Sequence, residues 1–238
     1  ELDQLRSEFA IPRRTVIENA AEAVYVEKKA EEMEVVFLMD RFGYARTIDL
    51  TAYERNKEAA DTENKYVFPC KNTGRICLFT NTGQLHTLKV SDIPFGKFRD
   101  KGIPVDNISN FSGEKEAIIA AASQTSLNLY RMIFVTKQAM MKIVDGGEFD
   151  VTKRTVAATK LSEEDEVISV EILDDQKQVV LQSAEGYFLK FNVEEIPEKK
   201  KNAIGVRGMR FTGKDFVENV YYTRITGEQL ISYRDQQV

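Results

Sequence analysis

Ile76-Cys-Leu-Phe-Thr-Asn-Thr-Gly-Gln-Leu-His-Thr-Leu-Lys-Val-Ser-Asp-Ile-Pro94 decides how the rest of the chain is read. Ile76 to Phe79 is an apolar run that alternates poorly, as a buried strand does. Asn81-Thr82-Gly83 supplies turn chemistry with a residue free to take positive φ, and Leu85 to Val90 alternates again. The stretch reads as a β-hairpin.

The same grammar recurs along the chain. Val35 to Met39 leads to Gly43, then Arg46, Ile48 and Leu50. Met132 to Thr136 leads to Ala139, where the other hairpins have glycine, then Lys142 and Ile143, with Glu148-Phe149 closing. Val179 to Leu181 leads to Gly186, then Phe188, Lys190 and Phe191, closed by Glu195-Ile196-Pro197. The turn residues 43, 83, 139 and 186 stand 40, 56 and 47 residues apart, around the roughly 40–50 residues of a four-stranded propeller blade. Ala139 implies that positive φ is not needed at every turn. A strand-like run precedes each later hairpin: Tyr66–Phe68, Ala117–Ala120, Glu166–Val170 and Phe216–Tyr221, the last before a fifth hairpin starting at Leu230–Tyr233. Each run is expected to complete the blade of the hairpin that follows it. The fold expected is all-β and propeller-like, with about five four-stranded blades and a short N-terminal helix.

That helix is read over Glu1–Ala10, where Leu2, Leu5 and Phe9 share one face and Pro12 stops the pattern. Val16-Ile17 and Ala23–Val26 read as strands and Glu27–Glu34 as a charged loop. The stretch Arg55–Asn64 is polar and nearly free of apolar anchors, and is expected to be a solvated connection between blades.

A chain of 238 residues with 42% hydrophobic content can bury a substantial core. No apolar stretch reaches the roughly 18 residues of a membrane span, and no basic-then-apolar leader opens the chain, so a cytoplasmic protein with no membrane partner is expected. Cys70 and Cys77 are too few for a disulfide framework or a thiolate metal site and read as buried small apolar side chains. His86 is the only histidine and is expected to be a packed or rim residue. No Asp, Glu or His constellation recurs toward a common centre, so an enzymatic propeller is disfavoured and no catalytic or metal-binding residue is assigned.

The formal net charge is −5, from 38 acidic against 33 basic side chains. Taken alone it speaks against a nucleic-acid ligand and suits a protein-interaction propeller. The distribution is uneven, however. Phe95–Pro104 interleaves Lys97, Arg99 and Lys101 with aromatics and glycines. Lys199-Lys200-Lys201 is followed by Arg207 and Arg210 among glycines, and Lys153, Arg154 and Lys160 lie between these two stretches. Basic connections at equivalent blade positions make a belt around one rim. With Arg46, Lys89, Lys142 and Lys190 from the hairpins, these are the candidate phosphate contacts. Carboxylates gather elsewhere, in Glu163–Glu166 and Asp174-Asp175.

Pro12-Arg13-Arg14-Thr15, the stretch from Leu78 to Pro94, Arg99-Asp-Lys-Gly-Ile-Pro-Val-Asp-Asn-Ile108, Asp165-Glu-Val-Ile-Ser-Val-Glu-Ile-Leu173 and Gly205-Val-Arg-Gly-Met-Arg210 occur in one order. In that combination the chain, from about Arg13 onward, resembles the C-terminal domain of the A subunit of bacterial type IIA DNA topoisomerases, DNA gyrase and topoisomerase IV. The resemblance implies a β-pinwheel, a propeller-like disc whose blades exchange strands and whose outer rim binds and bends duplex DNA without reading sequence. Residues 1–14 would then be the helical tail of the breakage-reunion region and 15–238 the DNA-binding domain. Partners would be duplex DNA, the ATPase B subunit, and the rest of the A subunit. The chemistry, with ATP and Mg, would belong to other domains, leaving no cofactor here. One departure matters. Gyrase carries a box of the type Q-R-R-G-G-K-G after its first blade, whereas Tyr53 is followed here by E-R-N-K-E-A-A-D-T-E-N. That difference favours topoisomerase IV, which relaxes and decatenates, over a gyrase that wraps DNA for negative supercoiling.

Overall fold

The computed structural model describes residues 1–11 and 31–224 in full, and only the backbone of 232–233 and 236–237 beyond them. The strands expected at Val16-Ile17 and Ala23–Val26, and half of the loop expected at Glu27–Glu34, lie outside the described residues. The chain divides into two compact units, 1–31 and 32–238. In the first, α1 (Leu2–Phe9) forms where the apolar spacing predicts it, with Asp3 in its first turn and Arg6 in its last.

The second unit opens with the hairpin of β1 (Glu34–Met39) and β2 (Tyr44–Asp49), then the short helices α2 (Leu50–Arg55) and α3 (Lys57–Glu63), then β3 (Tyr66–Lys71). The second hairpin is β4 (Arg75–Thr80) and β5 (Gln84–Lys89). After it come β6 (Phe95–Gly96), β7 (Ile103–Pro104), β8 (Ile118–Ser123) and α4 (Gln124–Leu127). The third is β9 (Arg131–Thr136) and β10 (Met140–Asp145), followed by β11 (Thr155–Ala157) and β12 (Val167–Leu173). The fourth is β13 (Gln178–Ser183) and β14 (Phe188–Asn192), followed by β15 (Val206–Arg207) and β16 (Val217–Thr223). A short pair, β17 (Ser232–Tyr233) with β18 (Gln236–Gln237), stands where the fifth hairpin is expected.

The strand in front of each hairpin belongs to the blade before it, which corrects the expectation from sequence. β3 pairs with β1, β8 with β4, β12 with β9 and β16 with β13, all antiparallel. The first strand of a hairpin has an unpaired edge, and the chain leaving that hairpin is the nearest segment able to return along it. A second exchange runs the other way. The connection after each hairpin crosses back to the outer strand of the previous one: β7 onto β2, β11 onto β5, β15 onto β10. Three sheets therefore read β7-β2-β1-β3 (with β6 also on β2), β11-β5-β4-β8 and β15-β10-β9-β12, and a fourth reads β14-β13-β16.

These pairings explain why the first strand of each hairpin is a continuous apolar run rather than an alternating one. Its successive side chains enter two different cores, one against each neighbouring blade. Ile76 and Leu78 of β4 pack with Phe37, Met39 and Phe111, while Cys77 and Phe79 pack with Phe134, Val144 and Phe149. Ile133 and Val135 of β9 then join Met141, Val179, Leu181 and Val217. Phe79 meets Phe134 and Phe149 edge-on, with ring centroids 5.8 and 5.1 Å apart. Cys70 and Cys77 are buried in these cores, and burial pushes their thiols up to about 11 and about 12. All four turn residues take positive φ: Gly43 at 83°, Gly83 at 75°, Ala139 at 61° and Gly186 at 93°. Ala139 is thus no exception to the turn geometry, only an alanine that accepts it.

The stretch after the first hairpin is not a solvated loop. The side chains of α2 and α3 cover the face of β1 and β2 that has no blade against it among the described residues: Ala60, Ala52 and Tyr53 pack on Val36, Leu38 and Ile48. Three apolar anchors were enough, because Asp49 caps α2 through Thr51 N and Asn56 bridges the two helices. No helix among the described residues is long and apolar enough to cross a membrane.

Candidate nucleic-acid interface

Successive blades pack through β3, β8, β12 and β16, so the crossing strands β7, β11 and β15, at the opposite edges of their sheets, face outward. Each crossing segment is the middle of a basic connection. Ile103, Val156 and Val206 lie opposite Ala45, Leu85 and Met141, each of these two residues past its turn. The backbone enters each crossing in the same way: Thr47 N donates to Pro94 O at 2.9 Å, Ile143 N to Pro197 O at 3.1 Å, and Thr87 N to Arg154 O at 2.8 Å. Gly102 and Gly205 precede the first and third crossings, where a Cβ would collide with the carbonyl oxygens of Ala45 and Met141.

Lys97, Arg99 and Lys101 are exposed on the first segment, Lys153, Arg154 and Lys160 on the second, and Lys199, Lys200, Arg207 and Arg210 on the third. Lys89 and Lys190 are exposed on the hairpin strands β5 and β14. A groove of about 600 Å³ runs between the second and third segments, lined by Lys153, Thr155, Lys201 and Asn202, and brings their cations alongside one another. Among the described residues no cluster of His, Cys, Asp and Glu could hold a metal ion.

Three candidates turn inward. Lys142 is 1% exposed, and its ammonium donates to the carbonyls of Lys200, Lys201 and Ala203 at 3.2, 2.7 and 2.8 Å. It is a structural cation rather than a phosphate contact. Burial pushes it down to about 8, with the Glu148 carboxylate acting the other way. Arg46 is half-buried and donates through Nε to Phe98 O at 3.2 Å. Lys201 is half-buried, its ammonium bonded to Glu148 O at 2.6 Å. Sequence reasoning missed a rule that joins two of these to a third residue. The position three past the turn holds Arg46, His86 and Lys142, and each reaches the segment crossing onto its own blade. His86, packed at 4% exposure, places Nδ1 3.0 Å from Thr155 Oγ1 and Nε2 2.7 Å from Glu116. Equal spacing from the turn was the available signal. Carboxylates also serve the belt unannounced. Asp100 accepts the Lys97 N–H at 2.7 Å and closes a tight loop. Glu148 accepts the Lys201 N–H at 2.9 Å and meets Lys200 Nζ at 3.2 Å. Burial opposes the charge on Glu148, yet that N–H and ammonium hold its carboxyl below the usual range.

The family described as "DNA gyrase C-terminal domain, beta-propeller" matches residues 74–124, 131–174 and 177–224. The DNA gyrase A subunit of Helicobacter pylori (strain ATCC 700392 / 26695) is 28% identical over 98% of this chain, and that of Lawsonia intracellularis 27% identical over 91%. The chain spans only 30% and 28% of those two proteins. The crystal structure of the C-terminal domain of DNA topoisomerase IV superposes with a TM-score of 0.73 at 22% identity, over 85% of this chain and 64% of that one. The E. coli ParC C-terminal domain superposes at 0.63 and 15% identity, over 79% of each chain. With the repeated hairpins, the strand exchange and the matched residues agreeing, this chain belongs to the DNA gyrase C-terminal domain family of β-propellers.

Proposed function

We propose that residues 15–238 bind and bend duplex DNA along the outer rim, without reading sequence, to steer strand passage by a cytoplasmic type IIA topoisomerase. Residues 1–14 would lead in from the breakage-reunion region, and other domains together with the B subunit would supply ATP and Mg chemistry. The observation that carries this reading is the placement of exposed cations on three successive segments, each crossing to the outer edge of a blade. Side-chain cations and backbone N–H groups at such a rim meet phosphates, and phosphates carry no sequence information. Replacing Lys153, Arg154, Lys199, Lys200, Arg207 and Arg210 by glutamine should weaken binding to random duplexes similarly for every sequence. It should also flatten the salt dependence by up to about 0.9 for each phosphate no longer neutralised. Unchanged affinity in a folded variant would favour a protein-interaction propeller instead.

Between the two parent activities, we favour topoisomerase IV-like relaxation and decatenation. Where gyrase has its basic box, α2 and α3 carry Glu54, Glu58, Asp61 and Glu63 against Arg55 and Lys57. A wrapped duplex with a persistence length of about 150 base pairs needs a dense hold, and an excess of carboxylates weakens it. The gyrase reading is supported by the naming of the curated relatives. The full enzyme incubated with relaxed plasmid and ATP separates them: strong accumulation of negatively supercoiled product would replace our reading with gyrase.

A further inference from the structure

Lys142 is a cation spent entirely on the protein's own backbone. An ammonium has three donors, and all three go to carbonyls of one short segment, Lys200, Lys201 and Ala203. A buried unpaired charge is costly, and an apolar residue at this position would fill the same space. Leu189 occupies the matching place, three residues past the turn, in the fourth blade, where it is exposed and no described segment crosses over it. The consequence of using lysine lies on the other side of the peptide planes. In a trans peptide the N–H points opposite to the C=O of the preceding residue. Drawing the carbonyls of Lys201 and Ala203 inward to Lys142 therefore turns the N–H groups of Asn202 and Ile204 away from it. Neither N–H has an acceptor among the described residues, whereas the two between and before them do: Ala203 N bonds Lys200 O at 2.9 Å, and Lys201 N bonds Glu148. Asn202 is exposed and lines the groove that also holds Lys153 and Lys201.

We infer that Lys199–Ile204 is a backbone phosphate cradle held open by Lys142. In it the N–H groups of Asn202 and Ile204 hydrogen-bond one phosphate of the duplex, flanked by the side chains of Lys199 and Lys200. Backbone N–H groups contact phosphate oxygens in protein–DNA interfaces, and here two of them, one residue apart, point the same way from one short loop. Lys142 touches no DNA: it is a positioning residue, and Glu148 fixes the near end of the same segment from its other side. This inference rests on the DNA-binding reading above.

Amide NMR of the protein titrated with a short random duplex tests it, beside anisotropy binding over a salt series for the unaltered protein and Lys142→Met. The Asn202 and Ile204 amide protons should move downfield on DNA addition. Lys142→Met should keep the amide dispersion of the blades, lose those two shifts and bind about tenfold or more weakly, because hydrogen bonds to a charged group are among the stronger ones. Its salt dependence should match that of the unaltered protein, since no cation facing DNA has been removed. DNA binding that leaves the two amides unmoved overturns the cradle and spares the DNA reading; a Lys142→Met variant that binds as tightly as the parent does the same. Absence of any binding by the unaltered protein overturns both. Should Lys142→Met fail to fold, the amide shifts of the unaltered protein decide the matter by themselves.

Discussion

The first and third blades are built on one plan, both receive a basic crossing segment, and they differ in what else they display. Each has a first strand with a buried apolar run, Val35–Met39 or Met132–Val135, and each receives an outer strand behind a glycine pressed against the hairpin backbone. On the first, Arg46 is half-buried, its guanidinium carbon 5.7 Å from the Phe98 ring centroid. The Lys142 of the third is buried beneath three carbonyls. Acidic helices cover one face of blade one, beside a rim that carries Lys97, Arg99 and Lys101, while the rim of blade three carries Lys199, Lys200, Arg207 and Arg210 with no such helices. Strand exchange needs only a β-branched residue opposite the hairpin and a backbone free to approach it. It is indifferent to what the rest of the connection displays, so rim charge can vary blade by blade while the cores stay the same.

The largest expected effects test that separation of core from rim. Phe134→Ala in blade three removes a ring shared with Phe79 and Phe149 and should cost about 3–5 kcal/mol in urea unfolding. Leu38→Ala in blade one should fall near about 2 kcal/mol, because two short helices can settle into the space more readily than a neighbouring blade can. Equal losses would show that the helical cap is as rigid as a core between blades.

The turns give a smaller contrast. Valine at Gly83 must adopt a φ of 75°, with its Cβ 3.0 Å from the Thr159 carbonyl oxygen, and should lose about 1–3 kcal/mol. Ala139 already holds a φ of 61°, so Ala139→Gly trades relief of that strain against a buried methyl and should stay within about 1 kcal/mol of the parent. An unchanged melting temperature for Gly83→Val would retire the shared turn geometry.

Reversing charge on the two helices of the first blade should extend its basic surface beyond the crossing segment. Lysines at Glu54, Glu58 and Glu63 should tighten duplex binding and steepen its salt dependence by up to about 0.9 for each phosphate newly met. No change would mean that bound DNA does not pass blade one.

The smallest effect concerns pH. Glu166, half-buried between the second and third turns, is held below its ordinary range by the Lys137 ammonium, at 2.8 Å, and then by the Asn81 amide, at 3.2 Å. Its folded value is depressed, so its contribution is present above the unfolded carboxyl value of about 4.3 and lost as pH falls through the folded one. With side chains 38% and 39% exposed, that contribution stays under about 1 kcal/mol. The urea midpoints of the parent and Glu166→Gln should differ at pH 7 and converge in acid. Glu32→Gln in blade one, whose partner Lys71 is also exposed, should differ less.

What the sequence determined by itself is local. Apolar runs at 35–39, 76–79, 132–135 and 179–181, each followed by turn residues, announce hairpins because alternation and positive φ are properties of a few neighbouring residues. Four of the hairpins and the basic character of three connections were legible for the same reason. Tertiary structure decided what touches across the chain. Tyr66–Lys71 joined the blade behind it, three anchors turned Leu50–Glu63 into a helical cap, and Lys142 went inside while Lys199 and Lys200 stayed out. A lysine in an alternating strand looks the same whether water or three carbonyls await its ammonium. Only the chain that crosses over it, some sixty residues later, settles which.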